Sequence, residues 1–399
     1  MSTVVVLGTM DSKAQELAYV RDVVSAQGVD TLLVDLGVFE PSIPPDITRE
    51  QVAQLAGIDL DDIVSRRDRG EAVAAMTTAA GIIARKLFEG GRLQGIISLG
   101  GSAGTTIGTA AMQVLPVGIP KVMVSTLASG DTRPYVGTKD ITMMYSVVDI
   151  SGLNRLSRHI LANASLAIAG MVKGEVAAEA QDKPLIAATM FGVTTPCVTA
   201  AREYLESKGY EVLVFHATGS GGKAMEGLIE DGFISGVLDV TTTEWCDELV
   251  GGVLAAGPRR LEAAGRVGIP QVISVGALDM VNFGPPDTVP SKFDGRLFYQ
   301  HNPTVTLMRT TKEECAKLGR IVAEKLNAAQ GPTVVMLPLK GVSMIDAADK
   351  AFYDPEADAA LFASLKENLR PDIQVVELNN HINDDDFALA LAQTLEQLL

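Results

Sequence analysis

The sequence predicts an α/β protein made of two Rossmann-like domains with mainly parallel sheets, related by an internal repeat. Three observations predict it. Short apolar runs alternate with segments of helical period, the order of strand–helix–strand units that build a parallel sheet. The opening pattern returns after Lys183: Leu185–Thr189-Met190 resembles Val6–Thr9-Met10, a buried strand ending in Thr-Met. Val267-Gly268-Ile269-Pro270-Gln271-Val272 then repeats Val117-Gly118-Ile119-Pro120-Lys121-Val122 almost residue for residue. The 399 residues suffice for two cores. The polar, small-residue stretch Gly174–Lys183 divides them into an N-terminal domain, residues 1–177, and a C-terminal domain, residues 178–399.

In chain order, Val4–Gly8 is a strand, followed by a helix through Leu17, Val20 and Val24 that stops at Gly28; Ser12 and Gln15 have the spacing of a capping box. Thr31–Leu36 is the second strand. Pro41–Pro45 is a loop, and Ile47–Leu55 and Asp61–Arg67 are short polar helices in an excursion from the core. A helix over Glu71–Glu89 carries Val73, Met76, Ala80, Ile83 and Leu87 on one face. The strand Ile96–Leu99, a helix, the strands Lys121–Thr126 and Ile141–Ser146 and a long helix through Leu153 and Ile160 complete the first unit. In the second, Leu185–Met190 is a strand, Thr195-Pro196 opens a helix with Thr as its cap, and Val212–Phe215, Gly236–Val240 and Val334–Leu337 are further strands. Phe387–Leu399 is a closing helix. Asn282–Asn302 reads as a long unpatterned loop carrying Lys292, Arg296, Tyr299 and His301, either a lid or an arm for subunit contact.

Composition narrows the function classes. A net charge of −16 argues against nucleic acid as the main partner. The apolar run at the N-terminus is too short for a signal peptide or a membrane span and lacks a basic lead, so a cytoplasmic protein without a membrane partner is expected. Cys197, Cys246 and Cys315 are isolated and fit a reducing compartment. No metal-ligand spacing or HExxH occurs, no metal site is expected, and His159 reads as a structural residue on a helix.

Ligands of parallel sheets bind beyond the carboxyl ends of the strands. In the first domain the stretch Gln94–Thr106 ends a strand in Gly100, Gly101, Ser102, Ala103, Gly104, Thr105 and Thr106, whose bare N–H groups at a helix start suit a phosphate or carboxylate. Thr9, Asp11 and Lys13 follow the first strand, Asp35 the second, and Ser129, Gly130, Asp131, Thr132 and Arg133 a later one. Lys13 and Arg133 would neutralise phosphates, and Asp11 or Asp131 would orient a ribose or Mg²⁺. Asp11 reads equally as a helix cap, and Arg133 as a surface ion pair. The pattern is neither a Walker A loop nor a dinucleotide fingerprint. A second ligand site is expected at His216, Gly219, Ser220, Gly221, Gly222 and Lys223, with Thr189 on a neighbouring strand end; His216, Lys223 and Asp131 are the candidate catalytic residues, and His216 reads equally as a structural histidine.

GTMDSK near the start, LGGSAGTT, ASGDTRPYVGTKDITMMYSVVDISGLN and HATGSGGKAME together resemble the uncharacterised protein family that includes the N-terminal ATP-binding inhibitor domain of the tomato mosaic virus resistance protein. The resemblance runs over essentially the whole chain. It implies two α/β subdomains, ATP binding, dimerisation, and a TIM-barrel domain that continues the chain in plants and fungi and would here be either absent or separately encoded as a partner protein. Three readings of function follow: an enzyme using ATP on a small acid, a non-catalytic ATP-binding module acting with a TIM-barrel partner, and an ATP-independent lyase or hydrolase centred on His216.

Overall fold

The computed structural model describes residues 2–174 and 183–399. The boundary expected at Gly174–Lys183 therefore lies, apart from its two ends, outside the described residues. The chain divides into two compact units, Met1–Ala178 and Glu179–Leu399.

The first unit runs β1 (Thr3–Gly8), α1 (Met10–Ser25), β2 (Asp30–Asp35), α2 (Arg49–Ala56), α3 (Leu60–Arg66), α4 (Arg69–Glu89), β3 (Gly95–Gly100), α5 (Ser102–Gln113), β4 (Lys121–Ser125), α6 (Arg133–Val136), β5 (Thr142–Tyr145) and α7 (Arg155–Lys173). Its parallel sheet has the order β2-β1-β3-β4-β5. Val4, Val5, Val6 and Leu7 are fully buried, because helices cover both faces and every side chain of the strand must be apolar. Val5, Leu7 and Ile96 pack with α4 and α5, and Val4, Val6 and Ile97 with α1 and α7.

The second unit runs β6 (Leu185–Met190), α8 (Thr195–Ser207), β7 (Glu211–His216), α9 (Ser220–Glu230), β8 (Gly236–Thr241), α10 (Glu244–Val250), α11 (Ala263–Val267), β9 (Gln271–Gly276), β10 (Met280–Phe283), β11 (Phe298–Asn302), β12 (Val305–Arg309), α12 (Lys312–Asn327), β13 (Thr333–Pro338), α13 (Pro355–Asn368), β14 (Gln374–Leu378) and α14 (Asp385–Leu398). Its parallel sheet has the order β7-β6-β8-β9-β13-β14, which is the order of the first sheet with one strand added. The repeat extends to the register. Val4 pairs with Gly95 where β3 starts, and Ile186 pairs with Gly236 where β8 starts. Neither glycine has room for a Cβ: it would lie 2.4 Å from Val172 of α7 at Gly95 and 2.8 Å from Leu399, just past α14, at Gly236. Each closing helix thus packs where its unit's third strand begins. Gly118 and Gly268 share a left-handed turn, with φ of 90° and 85°.

Three expectations are corrected. Helix α1 starts at Met10, with Thr9 as its cap residue, so Ser12 and Gln15 lie inside it and form no capping box; the Met10 N–H is taken by Asp35, which removes the need for a cap one turn later. Helix α8 starts at Thr195 itself, one residue earlier than the cap assignment implies. The stretch Asn282–Asn302 is no structureless loop: it enters from β10 and ends in β11, and these flank β12 in an antiparallel sheet of order β10-β12-β11. Strand β11 reads FYQHN, largely exposed and interrupted by a bulge at Gln300–Asn302, so it carries no alternation of apolar residues.

Candidate functional site

In the first sheet the direction of winding reverses between β1 and β3, where an open α/β sheet leaves a crevice beyond its strand ends. A cavity of about 750 Å³ occupies this position. Thr9, Asp11 and Ser12 line it after β1, Leu36, Gly37, Val38 and Phe39 after β2, and Ala103 and Ile107 on α5. Ile63 and Val64 of α3, Arg67, and Ala72, Val73 and Met76 of α4 complete an apolar wall with a few polar groups. That volume and mixture are typical of small-molecule sites.

Two carboxylates shape the wall. Asp35 is fully buried at the end of β2 and accepts from the N–H of Met10 (3.1 Å) and of Gly37 (2.7 Å). Its Oδ2 has no hydrogen-bond partner among the described residues. Burial pushes the Asp35 carboxyl above its ordinary value, and the two N–H bonds pull it back in part. Asp11 Oδ2 accepts from Val38 N (3.0 Å) and Phe39 N (3.3 Å), so this side chain fixes the chain leaving β2. Between them only glycine passes: a Cβ on Gly37 would lie 2.8 Å from Asp11 Cγ and 3.0 Å from Asp35 Oδ1. Arg49 holds the Phe39 carbonyl (3.0 Å) and Glu40, leaving the Phe39 ring exposed at the cavity wall.

Helix α5 begins beside the cavity. Its cap residue is Gly101, with no side chain to cap it, and the N–H groups of Ser102, Ala103 and Gly104 meet no acceptor among the described residues. These are the orphan donors of a helix start, with partial positive charge. Gly100 lets the helix dock: a Cβ there would lie 2.7 Å from Gly104 Cα. Two hydroxyls of this turn are used within the protein. Thr105 Oγ1 shares a 2.6 Å hydrogen bond with Ser125 and donates to Gly100 O, and Thr106 Oγ1 donates to Ser102 O.

Of the expected N-terminal site, then, Thr9 and Asp11 line the cavity and the glycine turn opens α5 at its side. Lys13 lies off its wall, in a non-helical kink of α1. Ser129, Gly130, Asp131 and Arg133 form an exposed loop apart from the cavity lining. There Arg133 Nε and Nη2 donate to Asp131 at 2.9 and 2.8 Å, which neutralises Arg133 locally and holds the Asp131 carboxyl down at about 2. Two cations on the wall, Arg67 and Arg69, were not singled out in the sequence; the run Arg66-Arg67-Asp68-Arg69 where α3 gives way to α4 was the available signal.

The expected site in the second unit is arranged differently. Gly219 N (2.7 Å) and Gly222 N (3.1 Å) both donate to Glu244 Oε1. The nest is therefore filled by the chain's own carboxylate. Gly221 and Gly222 have no room for side chains, since Cβ atoms there would lie 1.8 Å from His216 O and 2.2 Å from Glu244 Oε2. Glu244 Oε2 accepts from Arg260 Nε (2.7 Å), and Arg260 Nη2 donates to Asp239 Oδ1 (2.7 Å), which also accepts from Thr189 Oγ1 (2.6 Å). Arg260, Asp239, Glu244 and Thr189 are all buried. Thr189 thus belongs to an internal ion network, while His216, Ser220 and Lys223 are exposed beside it.

Among the described residues, no three His, Cys, Asp or Glu side chains are grouped to hold a metal ion, and no helix is long and apolar enough to cross a membrane.

The chain matches known proteins over its whole length. A UPF0261 protein of Clostridium tetani is 56% identical, over 99% of this chain and 98% of that one. The ToMV resistance protein Tm-1(GCR237) of Solanum lycopersicum is 49% identical over 83% of this chain, which spans 45% of the tomato protein. Among solved structures, Acinetobacter baumannii MurG aligns over 100% of this chain and 92% of its own at 13% identity, with a TM-score of 0.23, too low to carry an argument. Residues 2–177 match the N-terminal domain, and residues 183–399 the C-terminal domain, of the Uncharacterised protein family (UPF0261), and the chain belongs to that family.

Proposed function

We propose that the N-terminal unit binds a nucleotide, ATP being the one that the family resemblance implies, in the cavity at the β1–β3 switch point. The observation that carries this reading is the pairing of a cavity of about 750 Å³, apolar enough for a base, with the unsatisfied N–H groups that open α5. The C-terminal unit supports it by contrast: the glycine nest there is neutralised by Glu244 and offers no free donors at Gly219 and Gly222. Three free, buried cysteines fit work in a reducing cytoplasm. The finer reading, ATP used on a small acid, is separated from a non-catalytic module by turnover of ATP when candidate acids are supplied.

The test is a calorimetric titration with ATP, with and without Mg²⁺, on the unchanged protein and on Gly101→Val and Ala103→Glu. A side chain fits at Gly101, whose nearest Cβ contact would be Thr126 Oγ1 at 3.7 Å. A glutamate at 103 lies in the first turn of α5, where its charge favours the helix, and competes with a bound phosphate. Loss of ATP binding in Ala103→Glu, with the melting temperature kept, is the expected result. Absence of ATP binding by the unchanged protein, or equal affinity in Ala103→Glu, overturns the reading.

A further inference from the structure

We infer that Arg67 and Arg69, at the junction of α3 and α4, are the phosphate-binding cations of this cavity, so that its ligand is a nucleoside polyphosphate rather than an uncharged nucleoside. The inference rests on the nucleotide reading above and names the groups that would recognise the charged end.

Both arginines line the cavity and both are exposed. Among the described residues neither takes part in an ion pair or a side-chain hydrogen bond, whereas neighbouring arginines are committed: Arg66 to Asp62 and Glu71, and Arg49 to Glu40 and Glu50. Asp68 lies between the two but turns its Oδ1 onto the N–H of Gly70 (2.7 Å) and Glu71 (3.0 Å), capping α4. The other acid on the wall, Asp11, is held by Val38 and Phe39. The turn itself is strained. Arg67 has φ of 51°, a left-handed conformation that a β-carbon disfavours, and it ends α3 only two residues before α4 starts. A glycine would satisfy this turn at lower cost, as Gly57 does at the end of α2. An arginine kept in such a conformation, unpaired and facing a cavity, is the kind of strain that function accounts for. Its planar fork suits phosphate oxygens.

The experiment titrates ATP and adenosine onto the whole chain and onto Arg67→Gly, Arg69→Ala and the double variant, at low and high salt. Arg67→Gly keeps the left-handed turn, so its melting temperature stays at or above that of the unchanged protein. The expected result is about tenfold weaker ATP binding for each single variant and more for the pair, from loss of charge-assisted hydrogen bonds. Adenosine affinity stays constant, and the salt dependence of ATP binding flattens in the double variant. If the unchanged protein binds ATP and the double variant binds it as tightly with the same salt dependence, the arginines are not the phosphate site and the nucleotide reading stands. If ATP and adenosine weaken equally, the arginines shape the cavity without recognising charge, and the inference falls. If the unchanged protein binds neither, both readings fall together.

Discussion

Glu244 does inside the C-terminal unit what a bound anion would do: it accepts from two glycine N–H groups and pairs with Arg260. Removing it strands the Nε–H of Arg260, whose guanidinium keeps its pair with Asp239, and two glycine donors. Glu244→Ala should destabilise this unit by about 3–5 kcal/mol, from three buried donors left without an acceptor at about 1–3 kcal/mol each, measured from the denaturant midpoint. Glu244→Gln keeps the shape and one acceptor and should cost less. The glycines from 219 to 222 signalled an anion held close to the backbone, yet the occupant is the first residue of α10, further along the chain, and the fold brings it there. A second group of acids lies in the same unit. Asp279, Asp346 and Asp358 surround Arg309, with Asp346 Oδ1 at 3.7 Å from Arg309 Nη2, Asp279 Oδ1 without a hydrogen-bond partner among the described residues, and Ser343 donating to Asp279 at 2.7 Å. Burial raises the Asp279 and Asp358 carboxyls, the charge of Asp346 raises them further, and Arg309 lowers them. Burial also lifts Asp247 to about 7. A carboxyl raised by folding holds its proton more tightly in the folded state, so its contribution is complete below the unfolded value and is lost as pH rises toward the folded one. The melting temperature of the C-terminal unit should therefore fall between pH 3.8 and about 7, the span for Asp247. Asp279→Asn, which fixes the uncharged form, should flatten that slope.

Helix α5 depends on contact between two glycines. Gly100→Ala would drive a methyl against Gly104 Cα, 2.7 Å away, and should cost about 1–3 kcal/mol as the helix start is pushed off the end of β3. Thermal unfolding of the variant checks this. If the cavity binds ATP as proposed, affinity should fall with it, since the donors of Ser102 to Gly104 move too. Elements that bury apolar side chains were the ones written legibly in the sequence: β1, β3, β6 and β13 are continuous apolar runs because both faces are covered. Strand β11 escaped because its ladder is paid for by backbone hydrogen bonds to β12 while its side chains face water. The start of α1 escaped because its cap is tertiary: Asp35, not a neighbouring residue, accepts from Met10. The cavity escaped in part for the same reason. The turn residues after β1 and β3 lie at its edge, but its wall is completed by α3, in an excursion whose polar sequence does not show what it covers, and by Val73 and Met76 on the apolar face of α4.

Each unit has its own apolar core, with Leu7, Ile96 and Met123 in one of the first unit's clusters and Ile186, Leu238 and Phe387 in one of the second's. Residues 2–174 expressed alone should therefore fold cooperatively and, on the nucleotide proposal, retain the ATP affinity of the whole chain; calorimetry and near-UV circular dichroism would show it. The two units share strand order and register, and differ in what closes their switch points: a long excursion over a cavity in one, and a glycine nest stopped by Glu244 in the other. The turn at Gly118 and Gly268 belongs to neither difference. Both glycines are left-handed, nothing lies within 4 Å of where a Cβ would be, and each leads three residues later into a strand whose first residue pairs with the second residue of the strand before it in the sheet, Ile96 with Lys121 and Val237 with Gln271. Such a turn makes a natural recombination point: a crossover within Val-Gly-Ile-Pro would splice the front of one half to the back of the other in frame and in register, so hybrid halves could arise by exchange at a single place without a new connection having to be invented.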